Sequence, residues 1–281
     1  MLLRLLVLFV LALPCLAEPG SAFRAFPPGF AWGVATSAHQ VEGYNVNSDW
    51  WQWEQLPGKI KRGDRSGRAT DHWNRVESDI RLMVSLHMNS YRFSIEWAKI
   101  EPTEGKWDPQ AIRHYQNEIA LLRKYGIRPL VTLHHFTLPR WVAAKGGWEW
   151  PGFAAAFARY AALCVSAIGP AVRDWITLNE PIVLLGSGYT EGRWPPGERR
   201  LPQGLVGPLT GMLRAHAAAY RAMKDAAARQ GRAIRIGFAH NLQAVSPLCR
   251  FNPLDQLTAA AIMWAWNWLM VDAVETGRLF A

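Results

Sequence analysis

Short apolar runs alternate along this chain with longer stretches of helical period, and that alternation restricts the fold more than any other feature. Five runs of strand length, residues 31–35, 91–95, 129–133, 175–178 and 234–239, are rich in β-branched or aromatic residues. Amphipathic stretches lie between and after them at 76–86, 111–125, 153–168, 209–228 and 254–276. In the second of these, Ile112, Tyr115, Ile119 and Leu122 share one helical face, and Gly126 stops the helix. Strands that alternate with helices rejoin their sheet in parallel, each helix serving as the crossover. No repeat, linker or low-complexity stretch interrupts the pattern. The expected class is therefore α/β.

Half of the 281 residues are apolar and only 19% are charged, which excludes a disordered chain and suits one large domain. The net charge is +9, but the Arg and Lys are scattered, with Arg199-Arg200 one of the few clusters. A nucleic-acid binder concentrates such charge on one element, so no nucleic-acid partner is expected. Residues 1–17 read as a secretory signal peptide. Arg4 gives the positive start, residues 5–13 are unbroken apolar, and Cys15-Leu16-Ala17 offers small residues at a cut, with a second cut after Ala22. Pro14 disfavours a lipoprotein signal at Cys15. Nine apolar residues fall short of the roughly 20 that span a bilayer. Nothing later reads as apolar enough to cross a membrane. The expected product is residues 18–281, exported to the periplasm or the extracellular space. Of its cysteines, Cys164 sits in a helical apolar pattern as a small core residue, and neither it nor Cys249 has metal or redox spacing. No cofactor or metal is expected.

Parallel βα units in series suggest a (β/α)₈ TIM barrel, with about the first five units present in this chain. Chemistry in such a barrel sits at the strand C-termini. Gln40 follows the first run, Arg92 lies on the second, His134-His135-Phe136 ends the third and Asn179-Glu180-Pro181 the fourth. Four polar groups from four strands would meet on one rim. Bond cleavage between sugars needs a carboxylic acid to protonate the leaving oxygen, and Glu180 suits that role. An arginine beside a second carboxylate keeps it ionised. Each residue also has a plainer reading. Glu180 alone resembles a helix-start carboxylate before Pro181. Arg92 alone resembles a buried ion-pair partner. Neighbouring strand residues face opposite ways, so His134 and His135 do not form a metal pair; His135 is the better sugar contact and His134 the structural one. Glu42, Glu96 and Asn241 read as structural, while Trp148 and Trp194 suit either packing or an aglycone wall.

The same residues carry a family resemblance. Residues 26–43 are similar to the N-terminal signature of glycoside hydrolase family 1, residues 91–100 to its second-strand motif, His134-His135-Phe136 to its third and residues 177–181 to its acid/base motif. The four occur in order and at plausible spacing. The resemblance implies a retaining β-glycosidase acting on small β-glucosides or oligosaccharides. It implies Glu180 as acid/base, Arg92 orienting the nucleophile, and Gln40, His135, Phe136 and Asn179 against the sugar. Phe136 stands where the family often has Trp, Thr137 where it has Asp, and His39 where it has Tyr.

The family's Thr-Glu-Asn-Gly nucleophile motif does not occur in the sequence, and Glu275-Thr276-Gly277 is no substitute. The expectation is a chain that holds the acid/base half of a site and is inactive alone. Two alternatives stand beside it. One is a non-catalytic sugar-binding relative. The other is a different (β/α)₈ glycosidase sharing the Asn-Glu pair, which the Gln40 motif disfavours. Glu191 is the reserve candidate for a second carboxylate.

Overall fold

The computed structural model describes residues 25–279. The expected signal peptide and both expected cut points lie outside the described residues. Residues 25–31 belong to one compact unit and residues 32–279 to a second. The first is a turn in which Phe30 N–H donates to the Pro27 carbonyl at 3.1 Å. The rings of Phe26 and Phe30 meet within it at 4.4 Å.

In the second unit five strands form one sheet: β1 (Gly33–Ala35), β2 (Ser90–Ser94), β3 (Arg128–His134), β4 (Asp174–Asn179) and β5 (Arg235–Ala239). They lie in sequence order and every neighbouring pair is parallel. The helices are α1 (Ala38–Val41), α2 (Asp49–Glu54), α3 (His72–Ser85), α4 (Trp97–Ile100), α5 (Pro109–Lys124), α6 (Arg140–Ala144) and α7 (Phe153–Leu163). They continue with α8 (Pro181–Leu184), α9 (Val206–Ala228), α10 (Pro253–Met263) and α11 (Leu269–Thr276). This is the partial barrel the alternating pattern predicts. β1 and β5 are the edges, with no further strand paired to them among the described residues.

The element ends follow from local chemistry that periodicity does not carry. α5 starts at Pro109 rather than 111 because the Asp108 carboxylate caps Gln110 and Ala111 N–H at 2.7 and 3.2 Å. Gly126 ends it at φ 72°, in the left-handed region where a glycine costs nothing. β1 is shorter than the apolar run because both Trp32 main-chain groups are taken by Asn89. Its N–H donates to Asn89 Oδ1 at 2.9 Å, and its carbonyl accepts from Asn89 N–H at 2.8 Å.

Alternate residues of a strand face opposite sides, and the two sides differ here. Tyr91, Phe93, Val131, Leu133 and Trp175 are buried in one core with Ile80, Leu122, Phe157 and Met212 from the helices. Arg92, Leu130 and Ile176 point the other way and are only half-buried. Trp97 is a hub of the outer layer, stacked on Tyr160 at 5.0 Å and edge-on to Trp141 at 5.8 Å. The Tyr160 hydroxyl donates to the Ile95 carbonyl at 2.9 Å, so a helix is bonded to the chain just past β2. Cys164 is fully buried, as its helical pattern predicts.

One expectation needs correction. The run Pro253–Thr276 is 24 residues long and its most apolar window has a mean hydropathy of 1.3, enough by length and composition to cross a membrane. The apolar stretch is real because only Asp255, Asp272 and Glu275 carry charge in it. In this fold its Met270 and Ala273 are buried, and Asn267 Nδ2 donates to the Gln243 carbonyl at 2.8 Å.

α9 passes so close to the turn before α7 that a Cβ on Gly211 would lie 1.9 Å from the Trp148 carbonyl oxygen. Gly211→Ala is expected to cost about 1–3 kcal/mol in urea unfolding. Gly237→Ala, where a Cβ meets nothing within 4 Å, is expected to stay within about 0.5 kcal/mol. Equal effects from the two would contradict the packing described.

Candidate active site

The candidate residues sit at the C-terminal ends of β1 to β4, and three of them form a chain of hydrogen bonds across the sheet. Arg92 on β2 donates through Nε to Thr132 Oγ1 on β3 at 3.2 Å, and through Nη2 to Asn179 Oδ1 on β4. Asn179 is 3% exposed, and its Nδ2 donates to His135 Nε2 at 3.2 Å. Both ends of the Asn179 amide are thereby used, so its orientation is fixed. Accepting at Nε2 leaves the His135 proton on Nδ1. That atom is buried without a partner among the described residues. Burial, with Arg92 adding to it, pushes the imidazole down to about 4. At neutral pH His135 is thus uncharged, with its Nε2 bonded to Asn179 and its Nδ1 closed off from solvent.

Glu180 takes its direction from the backbone. It sits at φ 46°, a left-handed conformation unusual for a residue with a side chain, between the end of β4 and Pro181 at the start of α8. Its N–H donates to the Ala239 carbonyl at 2.8 Å, so β5 holds the turn in place. A register shift in β4 between Ile176 and Asn179 precedes it and re-aims the strand end. The Glu180 side chain is half-buried, and no hydrogen bond or ion pair engages its carboxylate among the described residues. Its charge does reach Arg92, whose guanidinium is held down by burial and pulled back up by Glu180. A carboxylate held beside a cation yet left unbonded is open to a ligand.

Phe136 also has a left-handed backbone, φ 71°. Its ring is edge-on to His135 at 5.0 Å and tilted against Trp194 at 4.8 Å. Gln40 stands on α1, which is tied to β2 by Ala38 N–H donating to Ser94 Oγ at 2.7 Å. It is exposed and shares the rim without touching the other candidates. The geometry thus joins Arg92, His135, Phe136 and Asn179 directly, adds Glu180 through charge, and leaves Gln40 as a neighbour.

The residues read as structural are placed so. His134 is buried edge-on against Trp148 at 4.8 Å, and Trp148 is core. Glu42 accepts from the Tyr115 hydroxyl at 2.8 Å and pairs with Lys99 at 2.9 Å. Glu96 accepts from Thr137, and Asn241 from Trp266 Nε1 at 3.3 Å. Glu191 is exposed and bonded to Arg193 Nε at 2.6 Å, away from the Arg92 chain of bonds. Among the described residues no group of three His, Cys, Asp or Glu is arranged to hold a metal ion. Sequence reading missed Asp49, Trp50 and Thr132. Trp50 Nε1 donates to the Phe136 carbonyl at 3.1 Å, a contact 86 residues away in sequence that no local pattern announces.

Because burial depresses His135, its ring is expected not to protonate between pH 8 and 5. Folding then favours the neutral form, a contribution present above pH 6.5 and lost as pH falls toward about 4. Titrating the imidazole nitrogens by NMR checks this; a midpoint near 6.5 would contradict the site geometry.

Comparison with known proteins bears on the family and the fold. The sequence model of glycosyl hydrolase family 1 matches residues 23–279. β-Glucosidase A of Thermotoga maritima is 36% identical over 208 residues, 72% of this chain and 46% of that protein. Among solved structures, the Thermotoga maritima β-glucosidase in complex with deoxynojirimycin superposes with a TM-score of 0.85 at 32% identity, covering 90% of this chain and 58% of that one. A β-glycosidase from Pyrococcus horikoshii gives 0.80 at 38% identity, covering 88% and 56%. The chain spans about half the length of the curated relatives it matches. With the family match over nearly its whole length and the barrel half in place, this chain belongs to glycosyl hydrolase family 1.

Proposed function

We propose that this protein hydrolyses β-glucosides with retention of configuration, and that residues 25–279 carry the acid/base half of its site. The observation that supports this best is the Glu180 carboxylate at the end of β4, free of hydrogen bonds among the described residues and acting by charge on an Arg92 that is itself locked to Asn179. Glu180 would protonate the leaving oxygen and then activate water for the second step. Asn179, held between Arg92 and His135, would keep its remaining hydrogen-bonding capacity aimed at the sugar. The exposed Gln40 amide would supply a further donor and Phe136 an apolar face, while His135, whose Nδ1 is buried, acts through its bond to Asn179. Relatives carrying the name β-glucosidase point to the same substrate class.

Retention needs a second carboxylate about 5 Å from the acid. The Thr-Glu-Asn-Gly motif that supplies it in the family does not occur in these 281 residues. The reading therefore assigns Arg92 to the side of the site where that carboxylate would stand, keeping it ionised. Export by residues 1–17 would place the activity outside the cytoplasm, on sugars released there.

In the assembled enzyme, Glu180→Gln is expected to lower kcat/KM on alkyl glucosides by about 10²-fold or more. On a dinitrophenyl glucoside, whose leaving group needs no proton, glycosyl transfer should suffer far less. Equal losses on both would remove the acid assignment.

A further inference from the structure

The backbone that follows His135 is strapped down far more heavily than a connection requires. Residues 47–50 run antiparallel to residues 136–140, with a bridge between Ser48 and Pro139. Asp49 N–H donates to the Leu138 carbonyl at 2.9 Å, and Leu138 N–H donates back to Asp49 Oδ1 at 2.9 Å. Arg140 N–H donates to the Asn47 carbonyl at 2.8 Å, and Trp50 Nε1 to the Phe136 carbonyl at 3.1 Å. From the other side the Thr137 hydroxyl donates to both Glu96 oxygens, at 2.9 and 3.1 Å.

Two carboxylates carry this strap, and neither makes an ion pair among the described residues. Glu96 is 2% exposed. Its other hydrogen bond is from Ala98 N–H at 3.2 Å. Placing an unpaired carboxylate in a protein interior is costly, as at Glu96, while the half-buried Asp49 spends its Oδ1 on the N–H groups of Leu138 and Trp50. What they hold is a strained residue: Phe136 at φ 71°, one step after the His135 that Asn179 grips. The strap also brings Trp50 to 5.6 Å from Trp194, whose ring lies 4.8 Å from Phe136.

We propose that Asp49 and Glu96 are positioning residues: they fix residues 136–138 so that His135, Phe136, Trp194 and Trp50 form one rigid wall of the sugar site. The backbone part of this stands on geometry alone; the sugar part rests on the glycosidase reading. A flexible wall would have to be ordered on each binding event, at a cost in affinity. A strapped wall has met that cost in folding.

The test measures hydrogen exchange in residues 136–140 of the intact chain, with deoxynojirimycin affinity and the urea midpoint alongside. Thr137→Val, which replaces the hydroxyl by a methyl group, and Asp49→Ala are each expected to speed exchange there about tenfold. Inhibitor affinity should weaken about fivefold or more in both, beyond what any fall in the urea midpoint accounts for. Glu96→Gln and Asp49→Asn keep an acceptor for Thr137 and Leu138, so they should return exchange toward the parent rate where Glu96→Leu does not. Unchanged exchange in both Thr137→Val and Asp49→Ala overturns the proposal. So does faster exchange with unaltered affinity. If the parent chain binds no inhibitor, the glycosidase reading fails, and exchange alone decides whether the strap exists.

Discussion

Everything in this chain depends on the parallel pairing of β1 to β5. Parallel neighbours cannot be joined by a tight turn, so each strand must be followed by a crossover, and the crossovers are the helices that bury Tyr91, Phe93, Val131, Leu133 and Trp175. The same polarity sends all strand ends to one side. Residues spread from Gln40 to Glu180 in sequence therefore meet on one rim. Site and core are two consequences of a single pattern of hydrogen bonds.

On that rim, order is maintained by groups that spend their hydrogen bonds on one another. Asn179 uses its oxygen on Arg92 and its nitrogen on His135, tying β2, the end of β3 and β4 together. Burial keeps His135 neutral, so it joins the chain of bonds as an acceptor at one nitrogen and remains a donor at the other. Glu180 is the exception. Its backbone is fixed by Ala239, and among the described residues its carboxylate is engaged by nothing but charge. Rigid neighbours around one uncommitted acid are what proton transfer to a fixed leaving group requires. Desolvation raises Glu96 in the interior and Asp49 beside it well above the usual carboxylate range.

The strands and the long helices were legible because their signals are local: period 2 or 3.6, a cap, a glycine stop. The candidate site residues stand out in the sequence because each lies on or just after a strand in a recognisable string. What escaped was set by contacts distant in sequence. The partnership of Trp50 with Phe136 spans 86 residues, and that of Arg92 with Thr132 spans 40. Asp49 reads in the sequence only as the first acidic residue of a short helix, and its bond to Leu138 exists only once the two segments are folded together. The apolar length of Pro253–Thr276 does not by itself separate a packed helix from a membrane-crossing one, because the two look alike in composition.

The central claim is that the sugar is held by the Asn179-centred rim with Glu180 facing its glycosidic oxygen. Deoxynojirimycin bound in a crystal of the protein tests it most directly. The account predicts electron density for the inhibitor ring within hydrogen-bond distance of Asn179 and Gln40, with the Glu180 carboxylate beside the position of the leaving group and Phe136 unmoved. Density for the ring elsewhere on the sheet, or Asn179 turned away from Arg92 to reach it, would contradict the account.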